Sequence, residues 1–179
     1  MNLKQIWKAA LAIALAAAIL VGLSAALRTV DAQKDLEEQE LAMSYLLMDG
    51  APFTEETVDS ADESITAAYK GTNGYIVEVT VDGYAAPMTL WVGVKNDGYV
   101  TGLTVRAMDE TYGLGREARF DVDFLLQFLR NTGDAAVGEN IDAMTGATVS
   151  SRAVTKAVNA AVAYVTGADV SSSATEWGG

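Results

Sequence analysis

The hydrophobic pattern of the chain begins with one long apolar run near the N-terminus. Residues 9–27 carry no charged side chain, and 17 of these 19 residues are apolar. A helix of that length spans about 28 Å, which is close to the roughly 30 Å hydrocarbon core of a bilayer. Trp7 precedes the run, at a position where an aromatic side chain would lie at the membrane surface. The pattern therefore predicts one transmembrane helix.

The next segment, residues 31–48, is rich in Glu, Gln, Leu, Met and Ala, which are good helix formers. It predicts a helix that ends near Asp49-Gly50 and Pro52. Residues 53–63 are acidic and are expected to form a loop. We expect residues 29–63 to act as a helical spacer followed by this loop.

From residue 65 onward the pattern becomes typical of strands, most clearly at residues 75–81, where positions 75, 77, 79 and 81 form one apolar face. Residues 88–94 are mostly apolar. The expected strands are residues 65–69, 75–81, 88–94 and 99–108. Asp97-Gly98 is a strong hairpin signal, because this pair tolerates the positive φ angles of a type I′ turn. The sequence thus predicts three or four consecutive antiparallel strands.

Two helical patterns follow the strands. Asp121 or Asp123 can cap a helix that runs through Arg130. A second helix is expected after Ser150-Ser151, where apolar residues repeat about every 3.6 positions. The fold class is therefore α+β, an antiparallel sheet packed with helices and preceded by one N-terminal transmembrane helix. The predicted units are residues 1–28 (cytoplasmic N-terminus and anchor), 29–63 (spacer and loop), 64–168 (folded domain) and 169–179 (flexible tail).

Charge divides the chain at the end of the apolar run. The formal net charge is −12, yet Lys4, Lys8 and Arg28 are the only charged side chains in the first 28 residues, which carry +3 against −15 for the rest. Because positively charged flanks stay in the cytoplasm, we expect a single-pass cell-membrane protein with a cytoplasmic N-terminus and an extracytoplasmic domain. The alternative is a cleaved signal peptide, although the run is longer than the about 7–15 apolar residues of a signal core.

Composition narrows the chemistry that the chain can perform. It contains no cysteine and no histidine, which excludes disulfides, thiolate or imidazole metal ligands, a lipoprotein anchor and Ser–His–Asp catalysis. The acidic balance argues against binding nucleic acid, because phosphate neutralisation needs clustered Lys and Arg. Redox chemistry would therefore depend on a borrowed cofactor.

One segment, residues 141–151, places Thr148, Ser150 and Ser151 at the expected start of the last helix, after Gly146. The first N–H groups of a helix lack intrahelical acceptors, and together with the helix dipole they favour an anion. The segment therefore indicates a phosphate site beside a hydroxyl group. The alternative is plain helix capping by Ser150 or Ser151, which the local pattern leaves open.

The same segment, Asp142-x-x-Thr145-Gly146-Ala147-Thr148-x-x-Ser151, resembles the flavinylation motif of the FMN-binding domain family. In that family a separate flavin transferase, which depends on Mg²⁺ and FAD, joins FMN to the last threonine of the motif by a phosphoester bond. The resemblance implies covalent FMN on Thr148. Residues 83–87, 97–98 and 110–115 follow the order of the family's other elements, and the resemblance covers residues 64–166.

The resemblance also implies further contacts with the flavin, with no catalytic residue and no metal site. Thr111 and Leu114 would contact the isoalloxazine ring, and Gly113 and Gly115 would let the backbone approach it. Tyr112 stands where the family usually has proline, and no histidine precedes Glu110. The cofactor-binding residues implied beside Thr148 are Thr145, Gly146, Ala147, Ser151, Glu110, Thr111, Gly113, Leu114 and Gly115.

Anchor, domain size and motif together resemble the G subunits of Rnf complexes, which are membrane ferredoxin:NAD⁺ oxidoreductases that move Na⁺ or H⁺. The resemblance implies an electron-relay subunit whose partners are other subunits of the complex, the flavin transferase and membrane lipid. The alternatives are the C subunit of a Na⁺-translocating NADH:quinone oxidoreductase, a free-standing membrane-anchored flavin carrier, and a non-redox binding module. Arg106, Arg116 and Arg119 are candidates for a cation that stabilises the reduced flavin.

Overall fold

The computed structural model describes residues 34–108 and 121–168. These residues form an antiparallel sheet with helices packed on it, which confirms the α+β fold class. The strands are β1 (Thr54–Glu56), β2 (Ile65–Lys70), β3 (Gly74–Asp82), β4 (Pro87–Lys95) and β5 (Val100–Met108), and they lie side by side in that order. The helices are α1, described over residues 34–46, α2 (Val122–Leu126) and α3 (Thr148–Thr166).

The apolar run at residues 9–27 lies outside the described residues. Among the helices of residues 34–108 and 121–168, none is both long enough and apolar enough to cross a membrane.

Strands β2 to β5 match the four strands predicted from alternation, whereas β1 lies in the acidic stretch that was expected to be a loop. β1 pairs antiparallel with β2, with Glu55 opposite Tyr69. An ion pair of 3.1 Å between Lys70 and Glu56 joins the same two strands. Three residues are too few to show a period of two, so the open edge of β2 makes this segment a strand.

The hairpin between β4 and β5 forms at Asp97-Gly98, but its turn differs from the predicted type I′. Gly98 has a φ of 87°, whereas Asp97 keeps a negative φ. The Gly98 N–H donates to the Lys95 carbonyl over 2.8 Å, and the Lys95 N–H donates to the Tyr99 carbonyl over 2.9 Å. This is the three-residue hairpin loop in which a glycine follows a tight turn, so only one residue needs positive φ.

One face of the sheet carries the main core. Val77 and Val79 of β3 and Leu90 and Val92 of β4 are fully buried on this face, and α3 packs against both strands. The helical period predicted for α3 is confirmed. Its residues Val154, Ala157, Val158, Ala161 and Val162 are all buried, and Val165 is partly buried.

The opposite face carries a smaller apolar cluster that includes the last turn of α1. Met43, Leu46 and Leu47 pack with Ile76 of β3 and Trp91 of β4. Two glycines allow the chain to come this close. A Cβ on Gly93 would lie 2.5 Å from the Leu46 carbonyl oxygen, and one on Gly102 would lie 3.1 Å from the Leu46 Cα. The end of the helix expected to be a spacer is therefore part of the packed domain.

Helix α2 is shorter than predicted. The Asp121 carboxylate accepts from the Phe124 N–H over 2.9 Å, so Asp121 rather than Asp123 is the cap. Beyond Leu126 the N–H groups of residues 127–129 each donate to the carbonyl three residues back, whereas the Arg130 N–H donates to the Val100 carbonyl over 2.8 Å. Phe124 and Phe128 face the core, and their rings meet edge to face with centroids 5.2 Å apart.

Candidate functional site

The N-terminus of α3 lies four residues earlier than predicted. The helix begins at Thr148, its cap residue is Ala147, and no side chain caps it. The first internal bond runs from the Ser151 N–H to the Ala147 carbonyl over 2.9 Å. Capping by Ser150 or Ser151 is therefore wrong, because both serines lie inside the first turn. The N–H groups of that turn are left without intrahelical acceptors.

A tight turn leads into this helix. The Ala147 N–H donates to the Met144 carbonyl over 3.0 Å, and Gly146 at the third position has a φ of 76°. A positive φ at that position is the signature of a type II turn and favours glycine. A Cβ on Gly146 would meet nothing within 4 Å. Glycine is therefore needed here for its conformation and not to relieve a steric contact within the described structure.

Ser151 stabilises the turn of residues 144–147 from its buried side. It is fully buried, and its Oγ accepts from the Met144 N–H over 3.1 Å while donating to the Ala147 carbonyl over 2.9 Å. The sequence motif implied that Ser151 binds the cofactor. The structure places it as the support of the turn.

The turn alternates buried anchors with exposed groups. Met144 is 7% exposed and Ala147 is 3% exposed, so both point into the core. Thr145, Gly146 and Thr148 are exposed. The arrangement presents the hydroxyls of Thr145 and Thr148 to solvent on a turn that is fixed from inside.

Two further side chains lie in the first turn of α3. Val149 is 51% exposed and presents an apolar surface next to Thr148. Ser150 is fully buried, and its hydroxyl has no hydrogen-bond partner in the structure. The exposed part of this turn therefore offers a hydroxyl, free N–H donors and an apolar side chain to one ligand.

Sequence reasoning missed the contact that holds the start of the motif. Gln127, just after α2, accepts at Oε1 from the Asp142 N–H over 2.7 Å and donates from Nε2 to the Asp142 carbonyl over 3.3 Å. The two residues are fifteen positions apart, so no local pattern could have shown the pair.

An amide of α3 acts in the same way on the preceding loop. The Asn159 side chain donates to the Ala135 carbonyl over 2.8 Å and accepts from the Ala135 N–H over 3.1 Å. Asn140 accepts from the Ala136 N–H over 2.7 Å and donates to the Asp134 carbonyl over 2.9 Å. The loop that leads to the motif is therefore held by side-chain amides at several points.

The second group of predicted site residues falls in the part of the chain between β5 and α2. Glu110, Thr111, Gly113, Leu114 and Gly115 lie outside the described residues, as do Arg116 and Arg119.

Arg106 belongs to the residues that the structure describes, and it lies on the sheet face opposite α3. Its guanidinium carbon is 4.0 Å from the centroid of the Trp91 ring. Trp91 belongs to the cluster on the sheet face opposite α3, and its indole N–H donates to Glu78 over 2.9 Å. Arg106 therefore covers the Trp91 ring and does not face the N-terminus of α3.

Comparison with known proteins shows the family to which the chain belongs. The FMN-binding domain family model matches residues 83–163, which include β4, β5 and the turn of residues 144–147. The G subunit of the proton-translocating ferredoxin:NAD(+) oxidoreductase complex of Clostridium ljungdahlii is 37% identical over 146 residues, which cover 76% of this chain and 77% of the relative.

Two further relatives carry similar names. The G subunit of the ion-translocating oxidoreductase complex of Methanosarcina acetivorans is 33% identical over 72% of this chain and 76% of its own length. The G subunit of the Na(+)-translocating ferredoxin:NAD(+) oxidoreductase complex of Acetobacterium woodii is 33% identical over 56% of this chain and 55% of its own length. The chain therefore belongs to the FMN-binding domain family, among proteins named as G subunits of ion-translocating oxidoreductase complexes.

Proposed function

We propose that the chain carries FMN covalently bound to Thr148. The observation that carries this proposal is the exposed threonine at a helix N-terminus that no side chain caps. In the proposed modification a bond forms between Thr148 Oγ and the FMN phosphorus of FAD. The pyrophosphate bond breaks, AMP leaves, and the hydroxyl proton is lost. The flavin transferase is the enzyme that would catalyse this step.

The residues of the turn fit a phosphoester at this position. The N–H groups of Thr148, Val149 and Ser150 would donate to the phosphate oxygens, and the helix dipole favours the negative charge. Gly146 leaves open space beside them, while Ser151 keeps the turn in place. We also propose the implied roles of Thr145 and Ala147, and of residues 110–115 around the ring.

At the level of the assembly, we propose that the chain is the electron-relay subunit of an Rnf-type complex. Bound FMN would supply the redox chemistry by accepting and releasing electrons. A covalent bond keeps the flavin on the protein and at high effective concentration near its redox partners. The names of the relatives support this assignment over a C subunit of an NADH:quinone oxidoreductase. They include both H⁺ and Na⁺ as translocated ions.

For the location we propose a single-pass membrane protein with the flavin domain outside the cytoplasm. The uncharged run at residues 9–27 and the charge difference across it support this topology. The proposed units are the anchor (1–28), the spacer (29–63), the flavin domain (64–168) and the tail (169–179).

The test is to co-express the full-length chain with a flavin transferase and to measure the intact mass of the denatured protein. The proposal predicts a gain of one FMN less one water, and flavin fluorescence that survives denaturation. Thr148→Ala should abolish both signals. Thr166→Ala is the matched control, because it removes a threonine hydroxyl at the other end of the same helix. Covalent flavin retained in Thr148→Ala, or absent from the unmodified sequence, would overturn the proposal.

A further inference from the structure

The side chain of Gln127 forms hydrogen bonds with the backbone of Asp142, the first residue of the motif, through both of its polar atoms. Its Oε1 accepts from the Asp142 N–H over 2.7 Å, and its Nε2 donates to the Asp142 carbonyl over 3.3 Å. Asp142 precedes Thr145 by three residues and Thr148 by six. The contact therefore fixes the backbone at the point where the chain leaves the core and enters the turn of residues 144–147.

Both partners of this contact are held by buried neighbours. Gln127 precedes Phe128, which is fully buried, and Asp142 follows Ile141, which is 2% exposed. The side chain of Gln127 itself is half-buried, and its two bonds to Asp142 lie at the surface. The buried neighbours thus fix the position of the Gln127 side-chain amide. This amide in turn fixes the backbone at Asp142, which is otherwise exposed.

We infer that Gln127 is a positioning residue for flavin attachment, which holds the turn of residues 142–148 in the form that the flavin transferase recognises. The inference rests on the proposed function of Thr148. When only a fraction of the chains hold a binding-competent form, the apparent dissociation constant rises by the inverse of that fraction. A fixed turn therefore makes the protein a better acceptor without any contact between Gln127 and the flavin.

A purely structural role would have a different signature. The turn is already anchored to the core by Met144, Ala147 and Ser151. We therefore expect the fold to stay intact when the two hydrogen bonds of the Gln127 side chain are removed. Hydrogen bonds at the surface add little net stability, since water replaces them. The effect of Gln127 is therefore expected in the modification reaction more than in unfolding.

The test compares two side chains of similar length at this position. Gln127→Glu keeps an oxygen that can accept from the Asp142 N–H, which is the shorter of the two bonds, whereas Gln127→Met keeps only the volume. The full-length chain would be modified in vitro with flavin transferase, FAD and Mg²⁺. We expect the KM for the chain to rise in Gln127→Met, by up to about tenfold, which is the limit set by the loss of one hydrogen bond. We expect kcat to stay unchanged, and Gln127→Glu to recover most of the loss.

Asn73→Ala is the matched control. Asn73 is also a half-buried amide, and from the turn between β2 and β3 it donates to the Met48 carbonyl over 3.0 Å. It should leave the KM for modification at the unmodified value. Gln127→Met with an unchanged KM, or Asn73→Ala with an equal rise, would overturn the inference. Failure of the proposed function is a separate result, because it appears as a chain with unaltered sequence that takes up no flavin.

Discussion

Two helix ends in this domain are treated in opposite ways. At the C-terminus of α1 the carbonyls that lack helical partners accept hydrogen bonds from side chains of β5 and of the turn between β2 and β3. The Leu46 carbonyl accepts from Thr101 Oγ1 over 2.6 Å, and the Met48 carbonyl accepts from the Asn73 amide over 3.0 Å. The Asp49 carbonyl accepts from Thr72 Oγ1 over 2.6 Å. At the N-terminus of α3, by contrast, no side chain caps the helix, and Thr148 is exposed.

The difference separates a structural helix end from the helix end that we propose to be functional. Polar groups of the backbone are normally satisfied within the fold or by water. The end of α1 follows this rule through contacts that join it to strand β5 and to the turn between β2 and β3. At the start of α3 no side chain caps the helix, so its first N–H groups are open to the proposed phosphate, while Ser151 and Gln127 hold the surrounding backbone. Changes at the first end should alter stability, and changes at the second should alter flavin attachment.

The largest effect on stability is expected from Leu47→Ala. Leu47 is fully buried in the cluster below α1, and truncation of a buried leucine costs about 2–5 kcal/mol. Urea unfolding of the full-length chain measures the change. Met48→Ala is the control, because Met48 is 74% exposed, and a surface change alters the free energy of unfolding by only about 0.5 kcal/mol. A loss at Leu47 as small as that at Met48 would contradict the packing of this helix end.

Thr101→Val tests the satisfied end directly. It removes the hydroxyl that donates to the Leu46 carbonyl, and the Gly93 carbonyl 3.2 Å from the same oxygen also loses a contact. The free energy of unfolding should fall by about 1–3 kcal/mol, since a buried acceptor is left unpaired. Thr101→Ser keeps the hydroxyl and should recover most of this loss. Flavin attachment should be the same in both variants once they are folded.

Ser151→Ala tests the support of the functional end. It removes two buried hydrogen bonds, one to the Met144 N–H and one to the Ala147 carbonyl. We expect a loss of about 1–2 kcal/mol in unfolding free energy and a slower gain of FMN mass, because the turn loses its inner contact. Unchanged stability together with an unchanged rate of attachment would mean that Ser151 does not hold the turn.

The smallest effect is expected at the edge of the sheet, away from both helix ends. The hydrogen bond that Lys70 Nζ donates to the Glu56 carboxylate raises the pKa of Lys70 above its ordinary value of 10.5, and Tyr75 adds to this effect. A raised pKa stabilises the folded state below about pH 10.5, and this contribution is lost as the pH rises further. Glu56→Gln should lower the pKa of Lys70, measured by NMR titration, and should leave flavin attachment unchanged. Slower attachment of FMN in Glu56→Gln would show that the β1 edge of the sheet affects the turn of residues 144–147.

The sequence was sufficient for much of the sheet and for the family, whereas the assignment of Thr148 as the flavin site remains a proposal. The hydrophobic pattern predicted β2 to β5 because each of these strands contributes buried side chains to the main core. The motif around Thr148 was readable because its residues are contiguous. The start of α3 was misplaced because Ser150 and Ser151 look like caps, and only the positive φ of Gly146 and the buried Oγ of Ser151 show that the helix begins earlier.

Features that depend on distant partners were not predictable. β1 exists because β2 offers it an edge, and the last turn of α1 is buried because Gly93 and Gly102 allow it close to the sheet. Gln127 gained its role through a residue fifteen positions away. Local pattern carries no information on such pairs.

The most direct test of the account is to locate the flavin by peptide mapping of the full-length chain after co-expression with a flavin transferase. Trypsin would release residues 131–152 as one peptide, which contains Thr132, Thr145, Thr148, Ser150 and Ser151. The account predicts that this peptide carries one FMN and that fragmentation places it on Thr148. FMN on any other residue, or a peptide without covalent FMN, would contradict the assignment of the uncapped end of α3 as the attachment site.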